Sequence, residues 1–97
     1  MYELLPNSNF LRKAKWLCRR HARIEKCIEK TLNALKGDPF HRNLKTHKVI
    51  AQYDGKRAKS SFVTNDIRII WRFKKGALHL INLIDIGGHS GKRKVYK

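Results

Sequence analysis

The chain has 97 residues with 23 Lys and Arg against 7 Asp and Glu, a net charge of +16, and an excess of that size points to a polyanionic partner, nucleic acid before any other. At this length folding hides only about 60–65 % of the chain's surface, so one modest core must do the stabilising, and residues 1–97 read as a single domain. Cys18 and Cys27 have neither CxxC spacing nor a second ligand pair, and no apolar run approaches the ~18 residues of a membrane helix. Metal, membrane span and secretion are therefore set aside in favour of a cytoplasmic protein with reduced thiols.

Tyr2 to Leu5 is a short edge-strand candidate ended by Pro6. Asn7, Ser8 or Asn9 supplies a cap for a helix, because a side-chain oxygen there satisfies a free N–H of the first helical turn. Phe10, Leu11, Ala14, Leu17 and Cys18 recur at helical spacing among Arg12, Lys13, Lys15, Arg19 and Arg20, an amphipathic helix with a basic outer side and Trp16 at the margin of its apolar stripe. After a break near Arg20 to Ala22, Ile24, Cys27, Ile28, Thr31, Leu32 and Leu35 give a second helix. Lys36, Gly37 and Pro39 should end it, Gly37 being able to take the left-handed conformation.

Phe40 to Lys45 reads as loop. His47, Val49, Ala51 and Tyr53 then alternate with Lys48, Ile50 and Gln52 in a weak strand that leads to an Asp54-Gly55 turn. Lys56 to Lys59 reads as exposed basic loop, and Ser60 to Thr64 as another strand joined by Asn65-Asp66 to the next. From Ile67 to Phe73 the apolar Ile67, Ile69, Trp71 and Phe73 alternate with Arg68, Ile70 and Arg72, the period of a strand with one buried face. Lys74-Lys75-Gly76 has hairpin chemistry. Leu78 to Ile86 is a nearly continuous apolar run, suited to a strand covered on both faces, and it stops at Gly87-Gly88 before His89.

The β-α-α-β-β-β order, the Gly37-Asp38-Pro39 helix exit, the Asn65-Asp66-Ile-Arg68-Ile-Ile-Trp71 strand opening and the Leu83-Ile-Asp85-Ile-Gly-Gly-His89 ending together resemble the RelE/ParE superfamily of toxins from toxin–antitoxin pairs. The nearest likeness is to its YafQ-like branch of mRNA interferases. The resemblance implies an α+β fold, two N-terminal helices packed on a small twisted, mainly antiparallel sheet. It also implies metal-independent cleavage of mRNA on the ribosome, no cofactor, and an acidic antitoxin that wraps the toxin. By the same resemblance His47 matches a histidine before the second strand, Asp66 an acidic residue of the YafQ-like pattern, and Arg68 the arginine of the strand opening. His89 matches the histidine after the glycine pair, and Tyr96 stands for the aromatic near the C-terminus. Two positions depart from the pattern: Phe62 stands where the branch has a second histidine, and Tyr96 lies farther beyond His89 than the branch's aromatic does.

The chemistry of those residue types agrees. RNA carries its own nucleophile, the 2′-OH, so cleavage needs a base, an acid for the 5′-oxygen and cations for the charge that develops on phosphorus. His89 is the expected acid, His47 or Asp66 the base, and Arg68 the phosphate clamp, with Lys45, Lys48, Arg57, Lys59, Arg72, Lys92, Arg93 and Lys94 as RNA-binding cations. Structural readings compete with each assignment. His47 is equally a solvent-facing strand residue, Asp66 a turn cap, Arg68 a partner of Asp85, and His89 a hydrogen-bonded loop residue. His21, His41 and His79 are assigned to structure or surface. A ParE-like gyrase inhibitor and a basic RNA-binding module are the rival functions.

Overall fold

Helix initiation obeys the capping chemistry. In the computed structural model, which describes residues 1–53 and 55–88, Asn7 Oδ1 accepts from Phe10 N at 2.7 Å and opens helix α1 (Ser8–Arg20). His21, in extended conformation, ends α1 and starts α2 (Ala22–Gly37), its N–H donating to the Leu17 carbonyl. A single extended residue thus breaks the helical run and turns the chain.

The exit of α2 differs from expectation. Positive φ among the described glycines is confined to Gly55 and Gly76, so Gly37 stays helical and Asp38 is the cap instead, its N–H bonded to Ala34 O and its carboxylate accepting from Phe40 N at 3.0 Å. Pro39 then blocks continuation. The expected loop 40–45 contains a 3-10 turn at Arg42–Leu44, which buries Leu44 against the core.

Strand β1 (Glu3–Pro6) precedes the helices, and β2 (His47–Tyr53), β3 (Lys56–Phe62), β4 (Ile67–Lys74) and β5 (Ala77–Gly88) come after them. The strand order is β1-β5-β4-β3-β2. All neighbours run antiparallel except β1, which lies parallel to β5 with Leu4 opposite Ile81. The helices are succeeded by four strands rather than the three of the β-α-α-β-β-β order. Lys56 to Lys59, read as loop, is the first half of β3, because each of its residues has a ladder partner on β2 or β4 and pairing overrides weak strand propensity.

The principal core lies on the helix side of the sheet, where Phe10, Leu17, Ile28 and Leu35 meet Ile67, Ile69, Trp71, Ile81, Leu83 and Ile86. Side chains of this size contribute about 1.5–3 kcal/mol each when fully buried. The reverse face, to which alternation assigns Arg68, Ile70 and Arg72, has an apolar centre of its own. Ile70 is fully buried there with Val49, Tyr53, Ala58 and Ile84, so the middle of β4 is covered on both sides. The apolar run of β5 is buried only from Ile81 onward; Leu78 is 73 % exposed near the hairpin. Trp16 packs at the edge of the core with the Arg20 guanidinium 4.5 Å from its ring. Burial, followed by the nearby Glu25 and Glu29 charges, raises the Cys18 pKa above the ordinary thiol value, which keeps the thiol protonated. No helix among the described residues is long and apolar enough to cross a membrane.

Candidate active site

The start of β2, the end of β3, the start of β4 and the end of β5 converge at one end of the sheet. His47 pairs with Ser60, Phe62 with Arg68, and Arg68 with Gly87. Because alternate residues share a face, His47, Ser60, Phe62 and Arg68 all stand on the side opposite the helices. From strand spacing and rise, the His47 and Arg68 Cα atoms are about 12 Å apart, which leaves room for a phosphodiester between their side chains.

His47 is exposed, and its Nδ1 lies 3.0 Å from the Lys45 carbonyl. A carbonyl only accepts, so Nδ1 carries the proton and Nε2 of the neutral ring holds the lone pair. That is the tautomer a general base needs. Lys45 itself has φ 48°, in the left-handed region, at the exit of the 3-10 turn. Its Nζ lies 4.7 Å from the Phe62 ring centroid, and the Arg68 guanidinium carbon lies 3.6 Å from the same ring. Phe62 therefore gathers two cations at its ring.

Arg68 is only 7 % exposed. Its Nη1 donates to the carbonyls of Thr64 and Ile67, which ties the β3–β4 connection to β4. It does not pair with Asp85. The register sets Ile70 opposite Asp85, whose Oδ1 takes Lys13 Nζ at 2.8 Å, Asn9 Nδ2 at 3.1 Å and its neighbour Ile86 N at 2.9 Å. Thr64 holds the 64–67 turn, its Oγ1 accepting from Asp66 N and Ile67 N, and Asp66 stands exposed on it. Arg72 lies farther along the same face and bonds Tyr53 O at 2.8 Å. Lys48, Arg57 and Lys59 alternate onto the other face. His89, Lys92, Arg93, Lys94 and Tyr96 lie outside the described residues, and among the described residues no three His, Cys, Asp or Glu side chains gather as a metal site.

Sequence reasoning missed a cleft of about 860 Å³ beside this end of the sheet, between α2, the 3-10 turn and the β3–β4 connection. Lys30, His41, Arg42 and Lys45 line it above Leu44 and Phe62. No spacing signal unites residues from three separate elements. His41, assigned to structure or surface, caps the 3-10 turn by accepting from Asn43 N at 3.1 Å and also lines this cleft.

Lys45 offers a direct check on this geometry. Lys45→Gly removes a left-handed lysine, a conformation costing a non-glycine residue about 1–2 kcal/mol, but adds the chain entropy of glycine. The denaturation midpoint should hold or rise, while the variant leaves a heparin column at lower salt. A clear loss of stability would mean that the Lys45–Phe62 contact outweighs the backbone term.

Two helices on one side of this five-stranded mixed sheet form the fold of the RelE/ParE-type toxins. Over 92 % of the chain it superposes on the toxin in the DinJ–YafQ complex of E. coli, covering 94 % of that chain with TM-score 0.71 and 15 % identity. The YoeB/ParE toxin from Agrobacterium tumefaciens matches over 93 % of this chain and 100 % of its own, with TM-score 0.70 and 19 % identity. A metal-bound toxin from Helicobacter pylori matches over 92 % and 96 %, with TM-score 0.71 and 19 % identity. Likeness of this degree establishes the fold, and its near-equality across the YafQ and YoeB/ParE structures does not select a branch. No family model and no curated protein matches the sequence.

Proposed function

We propose that residues 1–97 are a single toxin domain of a type II toxin–antitoxin pair, a cytoplasmic, YafQ-like mRNA endoribonuclease that works on the ribosome. The observation that carries the reading is His47, with Nε2 available as a base, sharing an open face with the Phe62-centred cation cluster of Arg68 and Lys45. His47 Nε2 takes the proton of the RNA 2′-OH, which attacks the adjacent phosphorus. Arg68 and Lys45 stabilise the added charge, and His89 protonates the departing 5′-oxygen. Asp66 is the alternative base, and Tyr96 assists at the C-terminal side. An acidic antitoxin neutralises the +16 surface.

One observation favours a second reading, a non-enzymatic binder of the ParE type. Arg68 is buried and its Nη1 already serves the fold. Product chemistry separates the two. Because the substrate supplies its own nucleophile, cleavage should persist after EDTA treatment, on free RNA or on ribosomes with magnesium restored, and leave a 2′,3′-cyclic or 3′-phosphate end. End-group analysis that finds 5′-phosphates, or no cleavage of free or translated message, overturns the endoribonuclease reading.

A further inference from the structure

The sheet divides the chain's cations between two faces. Lys48 stands directly opposite Lys59 in the β2–β3 ladder, and Lys59 opposite Trp71 in the β3–β4 ladder. Both lysines, and Arg57 by alternation, therefore lie on the Trp71 side, the reverse of the His47–Arg68 face. Lys48 and Arg57 are exposed and Lys59 half-buried. Like charges directly opposite each other on neighbouring strands destabilise a sheet. Among the described residues no carboxylate lies within ion-pair distance of Lys48, Arg57 or Lys59, and an outside anion would relieve this repulsion.

Phe40 adjoins this charge. It is 55 % exposed, yet its position is held: Asp38 Oδ1 accepts from its N–H, and Thr46 Oγ1 donates to the carbonyl of buried Pro39 at 2.7 Å. Its ring centroid is 6.0 Å from those of Trp71 and Phe73, which themselves meet edge-on at 5.1 Å. Lys59 Nζ lies 5.9 Å from the Phe73 ring centroid, on this same cluster. A fixed aromatic platform beside a row of cations is the arrangement that binds a single strand, whose unstacked bases lie on the ring while its phosphates track the charge.

We propose that this face is a second nucleic-acid surface, which holds a single-stranded RNA segment with one base on Phe40 and its phosphates along Lys48, Arg57 and Lys59. The choice of RNA rests on the proposed function; the platform itself is independent of any catalytic step.

The test uses a labelled 2′-O-methyl RNA of about 12 nucleotides, which lacks the attacking hydroxyl, and reads fluorescence anisotropy. Phe40→Ala should weaken binding about tenfold, the loss of one stacked base. Phe40→Leu, which keeps the apolar packing on Trp71 and Phe73, should weaken it similarly, and Phe40→Trp should restore it. The double change Lys48→Gln, Lys59→Gln should reduce the slope of log affinity against log salt by about 1.4. Unchanged affinity in Phe40→Leu with an unchanged circular dichroism spectrum overturns the proposal, as does equal affinity for duplex RNA or tighter binding of the matching single-stranded DNA. Phe40-dependent binding by a protein that cleaves no message sinks only the enzymatic reading. Active cleavage with Phe40-independent binding sinks only this one.

Discussion

Replacing His47 by alanine should lower the single-turnover rate of the proposed RNA cleavage by about 10²–10⁴-fold, the range for loss of a general base. The fold should not change, because His47 is exposed at the first position of β2 and, among the described residues, its side chain bonds only the nearby Lys45 carbonyl. His47→Gln sharpens the test. An amide N–H can still donate to that carbonyl, but glutamine accepts no proton at neutral pH, so this variant should be as slow as alanine. Asp66→Asn should then cost far less. A His47→Ala rate within threefold of the parent's, beside a crippled Asp66→Asn, transfers the base to Asp66. His89→Ala should lose about 10²-fold or more as the acid is removed. If both histidine variants remain active, the acid–base mechanism fails.

Trp71→Ala should destabilise the protein by about 3–5 kcal/mol, a large part of the about 5–15 kcal/mol that holds a domain of ordinary stability together. Trp71 is fully buried at the centre of the sheet, edge-on to Phe73 and against Phe40. Its Nε1 donates to Ser61 Oγ at 2.8 Å, and Ser61 Oγ shares a 2.6 Å hydrogen bond with Thr46 Oγ1. Alanine leaves a cavity and removes one member of that buried chain, which runs from β4 through β3 to the residue before β2. Trp71→Phe keeps most of the volume and loses the N–H, so its cost should fall between parent and alanine. Urea denaturation checks both. A loss below about 1 kcal/mol for alanine would mean that the core collapses around the gap.

Patterns confined to neighbouring residues determined the helices and the central hairpin. The Asn7 cap, the 3.6-residue stripe from Phe10 to Cys18, the break at His21 and the alternation from Ile67 to Phe73 each report a local preference that the fold then satisfies. The strand ends and turns that carry the candidate site residues were legible in the same way. His47, Asp66 and Arg68 each sit beside a strand end or turn that their own neighbours announce.

Pairing across the sheet decided the rest, because a residue's ladder partner is set by a segment far along the chain. Residues 56–59 became strand only because β2 and β4 supply partners, and β1, read as an edge strand from its brevity, came to run parallel to β5 only once the helix pair carried the chain back across the sheet. The same pairing separated Lys48 and Lys59 from Arg68, although all belonged to one basic composition. It also tied Arg68 to Thr64 and Ile67 rather than to Asp85. Composition determined that this surface attracts anions; only register and alternation, which turn successive side chains to opposite faces, decided which cations act together and which aromatic ring each group surrounds.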